Sequence, residues 1–393
     1  MIKLDFSHVS TDNSPPMHKV LHSDSIKAAM AARGWSQEQL AKSIGESPQV
    51  VSHWLQGKNF PRPEKLLKLA TTLMLSFDQL VMPDANQPII AFRKKAGSKT
   101  TDVHLAKAQA MAALLRPLVD YLPDRRSLHM TLTSASTDYV HLQNAAAEIR
   151  RKLGIGAQAV LGYEHLIKEF IANDAVLIPA LWGEKKNHKN ALHILLPDHK
   201  VTFVYLNLDT HLEDFKFWMA HELAHVYTPK LAGTEEGEDF ADAFAGALLF
   251  PKACAEAAYA QAIQAAGVPS LLKTLLASAH SHSISLNTVF LQVQSFARAK
   301  GLALLQLPES QLHAVRSNQH NGLVSESLFK PLPPSAEALI AVAANLFSSG
   351  FFIALKAMLL ERGTGPGYLQ QILDIGLLDA TALHRALVGG LAH

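Results

Sequence analysis

Cysteine is almost absent from this chain. A single residue, Cys254, in 393 positions excludes a disulfide framework and any zinc cluster built on thiolates. No neighbour in the sequence would activate its thiol, so it reads as a buried helix residue. Long apolar runs are equally scarce. The nearest to a membrane span, Ala338 to Leu355, carries Asn345 and Ser348-Ser349-Gly350. Those residues break helices, so two buried helices joined at Ser349-Gly350 are expected instead, with no membrane partner. The opening Met1-Ile2-Lys3-Leu4-Asp5-Phe6 lacks the apolar core of a signal peptide, which predicts a cytoplasmic protein. There are no internal repeats and no low-complexity tracts. Charged residues make up only 18% against 48% hydrophobic, which excludes a disordered chain and leaves ample material for a packed core. The length predicts two or three domains.

The net charge is only +2, but its distribution is uneven. Arg93 to Arg126 holds eight Lys/Arg against three Asp, which suits a polyanion or an ordinary solvated face. Asp209 to Asp242 holds nine Asp/Glu against Lys216 and Lys230, which suits a cation and fits poorly with hydrolysis of a nucleic acid.

Within the acidic stretch lies His221-Glu222-Leu223-Ala224-His225. On a helix, residues four apart share a face, so two neutral imidazoles can hold Zn2+ while the intervening Glu takes a proton from its water. Apolar residues at helical spacing, from Phe215 and Phe217 through Met219 and Leu223 to Val226, predict that this helix is buried. Zinc with two His needs a third protein ligand and an open position. Glu238, on a following helix, is the candidate, and Asp242, one turn later, can hold the other ring N–H of a ligating His. Glu235 and Glu236 are nearer alternatives that lack such a follower. Residues 215–251 continue with Glu238-Asp239-Phe240-Ala241-Asp242-Ala243-Phe244-Ala245-Gly246-Ala247-Leu248-Leu249-Phe250-Pro251. The stretch resembles the ImmA/IrrE family of zinc metallo-endopeptidases, specifically over about 37 residues and more loosely over 145–300. Ala224 and Asp242 stand where that family has Gly and Asn. The resemblance implies zinc on His221, His225 and Glu238, with Glu222 as the catalytic base.

The front of the chain carries an independent signal. Ser25 to Arg33 is an amphipathic helix ending at Gly34. Ser36 can cap a second helix that stops at Gly45, and Pro48 opens a third through Trp54 to Gly57. Helices follow over Glu64 to Leu73 and from Ser76 to Val81. Two helices joined by a glycine turn, the second with a polar face, make a helix-turn-helix. Trp-Ser-Gln-Glu-Gln-Leu-Ala, Val-Ser-His-Trp-Leu-x-Gly-Lys and Pro-x-Pro make residues 24–82 similar to the Xre/Cro family of repressors. That resemblance implies a homodimer on double-stranded operator DNA. Gln37 would grip phosphate, and Gln49, Ser52 and His53 would read bases, while Lys58 and Arg62 are placed to reach phosphate.

The expected organisation is multidomain and mainly α, with a small α+β zincin-like domain. Residues 1–20 form an arm and 21–82 a five-helix DNA-binding domain. Residues 83–140 are a basic connector with a helix over 102–122. Residues 141–304 are the zincin domain with a helical tail, and 305–393 a helical region of unknown role. Val176 to Leu181, Ala191 to Leu196 and Val201 to Leu208 read as strands, with Glu184 to Asn190 as a loop. The last strand is a candidate edge for an extended substrate. Tyr205 and Tyr227 are candidates for an oxyanion partner, and His280 and His282 read as surface residues. The functional expectation is a transcriptional regulator fused to a peptidase that cuts a regulatory protein, a partner repressor or itself, in a stress- or phage-linked response. The alternative is a repressor or antitoxin-like regulator whose zincin domain is a non-catalytic sensor or protein-binding module; a toxin is a further candidate partner of the chain.

Overall fold

A computed structural model describes residues 19–83, 87–91, 102–123, 131–132, 135–183, 191–312 and 322–389. The chain is mainly α with one small mixed sheet, and it divides at Gln87/Pro88 into two compact units. The loop Glu184 to Asn190, most of the N-terminal arm and residues 93–101 and 124–126 of the basic stretch lie outside the described residues.

The first unit contains the five expected helices: α1 Ser23–Ala32, α2 Gln37–Ile44, α3 Pro48–Leu55, α4 Pro63–Leu73 and α5 Phe77–Leu80. Local chemistry sets their ends. Ser36 and Gln39 form a reciprocal capping box, Ser36 Oγ accepting from Gln39 N at 3.2 Å and Gln39 Oε1 from Ser36 N at 2.7 Å. Gly45 ends α2 at φ +72°, a left-handed conformation that favours glycine. Ser47 then caps α3, and Pro48 takes its first position. Lys65 clamps the turn, reaching the Gly45 carbonyl at 3.1 Å and Glu46 at 2.9 Å. Ile26, Leu40, Ile44, Val51, Leu69, Leu73 and Leu80 are fully buried. A short antiparallel ribbon, β1 Lys19–Leu21 with β2 Val81–Pro83, ties the two ends of the unit together. A three-residue strand carries no readable alternation, so this ribbon has no signature in the sequence.

In the second unit, β3 Ile89–Ala91, β4 Val176–Ala180, β5 Ala191–Leu196 and β6 Val201–Asn207 form a sheet in the order β3-β5-β6-β4. Only the β4–β6 pair is parallel. The expectation that β6 offers a free edge is therefore overturned, because β5 and β4 take both of its sides. Every residue of β4 and β5 is buried, as in sheets covered on both faces. One face takes the helix of the His-Glu-x-x-His motif. Directly paired residues share a face, so His193, opposite Val204, lies on the side opposite Tyr205. Tyr205 donates to the Ile372 carbonyl at 2.7 Å, and Trp182 Nε1 to the Leu373 carbonyl at 2.9 Å. Ser349 Oγ caps the Leu177 carbonyl, and Tyr368 the Leu114 carbonyl. The region 305–393 thus covers the back of the sheet and shares its core. Its helices include Ala336–Asn345 and Phe351–Arg362, separated by a break that contains Ser349-Gly350.

Around the front face lie α7 Tyr139–Lys152, α8 Tyr163–Ala172, α9 Leu212–Tyr227, α10 Glu235–Leu249, α11 Lys252–Ala262, α12 Val268–His282 and α13 Leu286–Ala299, whereas α6 Asp102–Leu115 joins the helices behind the sheet, where Lys107 pairs with Asp374 and Leu114 accepts from Tyr368. In α9, Phe215, Met219, Ala220, Leu223 and Tyr227 recur at helical spacing, and all are fully buried. Each large apolar member contributes about 1.5–3 kcal/mol by leaving water. Thr228 ends α9, with its hydroxyl on the Ala224 carbonyl at 2.8 Å, and Pro229 stops continuation. Thr234 caps α10 by accepting from Gly237 N at 3.0 Å.

Gly237 is buried against the preceding loop, and a Cβ there would meet the Leu231 carbonyl oxygen and carbon. Gly237→Ala is therefore expected to cost about 1–3 kcal/mol as overpacking against backbone that cannot yield. It should also displace the neighbouring Glu238. Thermal melting checks the first effect and metal content the second; an unchanged melting curve would contradict this packing.

Candidate metal centre and nucleic-acid interface

His221 and His225 lie one turn apart on α9, both fully buried, and Glu238 enters from the first turn of α10. Their ligand atoms converge. The two Nε2 atoms are 3.2 Å apart. Glu238 Oε2 is 3.4 Å from His221 Nε2, and Oε1 is 3.3 Å from His225 Nε2. Ligands at about 2.0–2.1 Å in a tetrahedral shell stand about 3.3 Å from one another. The three side chains thus have the spacing of one face of such a shell. Both Glu238 carboxylate oxygens are buried without a hydrogen-bond partner, a costly arrangement for a protein alone and a suitable one for an ion. These residues fit zinc by donor type and by spacing.

Asp242, one turn beyond Glu238, holds His221 Nδ1 at 2.9 Å. That contact leaves Nε2 free as a donor of its lone pair. Burial disfavours a charge on His221, but Asp242 and Glu238 outweigh it and push the imidazole up to about 9. Burial would likewise raise Glu238, yet His221 and His225 bring it down to about 2. The site as a whole favours a positive charge between its carboxylates. Glu235 and Glu236, the alternative third ligands, are exposed, and Glu238 is the carboxylate whose oxygens lie beside both imidazoles.

Glu222 is 2% exposed and turns toward the sheet, where Oε2 lies 3.5 Å from His193 Nδ1. His193 is a site residue that the sequence did not reveal. It projects from β5, fully buried, and its ring centroid is 5.5 Å from that of His225. Burial holds it below the ordinary imidazole value against the pull of Glu222, which keeps it neutral. The two oxyanion candidates are turned elsewhere. Tyr205 points to the back of the sheet, and Tyr227 donates to Glu169 at 2.6 Å, a carboxylate that also holds Lys152 at 2.8 Å. His280 is exposed as expected, but His282 is not a free surface residue. Its ring packs on Phe250 with centroids 5.0 Å apart, and its Nε2 lies 3.5 Å from Cys254 Sγ. Burial raises the Cys254 thiol, consistent with an inert side chain.

In the first unit, α3 directs Val51 and Trp54 inward. Gln49 is exposed, and Ser52 and His53 are half-buried on the same side, where Ser52 Oγ accepts from Gln56 Nε2 at 3.0 Å. Gln37 Nε2 bridges the starts of α2 and α3 by donating to the Pro48 carbonyl at 3.3 Å. Lys58 and Arg62 are exposed beyond α3. The arrangement gives one polar helix face flanked by cations, the geometry of a groove-reading helix.

Residues 26–80 match the helix-turn-helix family, and residues 184–278 match the IrrE N-terminal-like domain, a peptidase family. The first match covers the bundle from α1 to α5. The second takes in β5, β6, α9 and α10, and with them His221, Glu222, His225 and Glu238. Comparisons with curated proteins and with solved structures return no match. Among the described residues, no helix is long and apolar enough to cross a membrane.

Proposed function

We propose that this chain, a helix-turn-helix domain joined to an IrrE-like peptidase domain, is a DNA-binding regulator whose second unit is a zinc endopeptidase acting on a regulatory protein. The observation that carries this reading is the convergence of His221, His225 and Glu238 beside the buried carboxylate of Glu222. His221 and His225 offer Nε2 atoms and Glu238 a carboxylate to the ion, and Asp242 fixes the His221 tautomer. Zinc, when bound, would supply Lewis acidity to the attacking water and to the peptide carbonyl. Glu222 takes the proton of the attacking water at a carboxylate oxygen and returns it to the leaving amine. His193 lies on the far side of Glu222, its Nδ1 3.5 Å from the carboxylate. The low exposure of Glu222 makes the resting site nearly silent, as a protease tied to its own regulator must be. Incubating the zinc-loaded chain with proteins encoded beside its gene tests the activity, with cleavage expected to stop on chelation.

The same burial favours one second reading, a metal-holding sensor without turnover. Under that reading no neighbouring product is cut, and loss of the Glu222 charge leaves regulation unchanged.

On the DNA side, a homodimer is expected to bind a near-palindrome with half-sites about 34 Å apart. Gln49→Ala should lower discrimination between specific and random DNA more than overall affinity. Lys58→Ala should weaken both alike and reduce the salt slope by about one ion. Titrations at several salt concentrations check this; equal losses from both changes on both DNAs would defeat the assignment of Gln49 as a base reader.

A further inference from the structure

The inner strands of the sheet have no open edges, and the one edge beside Glu222 is filled by the chain's own connector. β5 spends its inner side on β6 and its outer side on β3. The register sets Ala91 of β3 directly opposite His193, the residue facing Glu222. Directly opposed residues share a sheet face, so the Ala91 methyl lies on the α9 side, beside the base, and it is 1% exposed. Ile89, two residues earlier, shares that face. Its Cγ2 stands 3.5 Å from where a Cβ on Gly233 would lie, and the Ile90 carbonyl oxygen stands 3.1 Å from the same point. Gly233, at φ +78°, belongs to the loop that leads from the His-Glu-x-x-His helix to Glu238. β3 therefore runs in a slot between the outer edge of β5 and the loop joining the two ligand helices. An extended peptide meant for this site needs the same backbone ladder.

We infer that the outer edge of β5 is the peptide-docking surface of the second unit, and that β3 is its resident occupant, which a guest peptide must displace. The guest is an extended segment with a small residue at the level of His193 and a branched aliphatic residue two positions before it, as in Ile89-Ile90-Ala91. The inference rests on the peptidase reading for what happens after docking, and on the sheet alone for docking itself. Three residues make a short ladder, and each hydrogen bond adds little net stability, so β3 is an occupant that can be exchanged. The other outer edge, that of β4, lies beyond β6 from His193 and cannot present a peptide to Glu222.

The test uses the full-length, zinc-loaded chain carrying Glu222→Gln, so that bound peptide is not cut. The probe is a fluorescent synthetic peptide copying residues 87–96, read by anisotropy. Ile90→Pro removes an N–H from β3 and should dislodge it; peptide affinity should rise about tenfold or more. Ile89→Cys with Leu195→Cys, a directly opposed pair, should pin β3 when oxidised. Peptide affinity should then fall about tenfold against the same protein reduced. A probe with Trp in place of Ala91 should gain nothing from either change. Equal affinity in the oxidised and reduced pair overturns the inference, even if Ile90→Pro fails to fold. Repeating both arms with Glu222 intact separates the two claims. Binding that follows β3 without any cleavage defeats the peptidase reading and leaves the docking edge standing. Cleavage at one rate in oxidised and reduced protein defeats the docking edge and leaves the peptidase standing.

Discussion

Purified His225→Ala protein is expected to hold almost no zinc, against about one ion per molecule expected of the unaltered chain. His225 Nε2 lies 3.2 Å from His221 Nε2 and 3.3 Å from a Glu238 oxygen, so its removal opens a third of the ligand face. The remaining pair cannot close round an ion, and the buried Glu238 carboxylate is left against a cavity. A graded series follows from the geometry. Glu238→Gln should lose nearly as much, since it removes the one carboxylate among the three converging groups. Asp242→Ala should keep zinc at high metal but surrender it to a chelator about 10–100-fold more readily, because Asp242 orients His221 rather than touching the ion. Glu235→Gln, on an exposed side chain of the same helix turn, should change nothing. Elemental analysis and competition with a chromogenic chelator read all four. Full zinc in His225→Ala would show that the ligand set is wrong.

Glu222→Gln is expected to leave zinc content and melting temperature in place and to lower cleavage by about 10²–10⁴-fold. The side chain, on α9, is 2% exposed and faces His193 across the sheet surface, so a replacement of equal size keeps the packing. An amide oxygen cannot carry away the water's proton, and only the chemistry should fail. Loss of folding or of metal in this variant would mean that Glu222 is structural, and undiminished cleavage would remove it from the reaction.

The part of the site that was legible in the sequence is the part set by short-range spacing. His221 and His225 are four apart on one helix, and Glu238 and Asp242 repeat that interval on the next, so the pattern carries its own geometry. The helix-turn-helix was legible for the same reason, since Ser36, Gly45, Ser47 and Pro48 each fix an end locally. His193 was not legible. A lone histidine in the apolar run Ala191–Leu196 reads as core, and only the sheet brings it to Glu222. Sheet order is likewise a long-range property, so nothing local marks β6 as an inner strand or draws β3 out of the connector. One signal for the role of 305–393 was present. β4, β5 and β6 are apolar without alternation, so both faces had to be covered, and the helices of the metal site supply only the front one. Tyr205 follows from the two-residue period of side chains along a strand, which sends it to the face opposite Val204.

The most direct test of the central claim is a paired measurement in cells carrying either the unaltered chain or Glu222→Gln. Output of a reporter for the regulated genes and integrity of candidate target proteins are followed together, with and without DNA damage. The expected result is a target cut under inducing conditions only in the unaltered strain, with the reporter held in one state by Glu222→Gln. A target that stays intact and a reporter that responds identically in both strains, across stresses, would contradict the peptidase and leave a DNA-binding sensor.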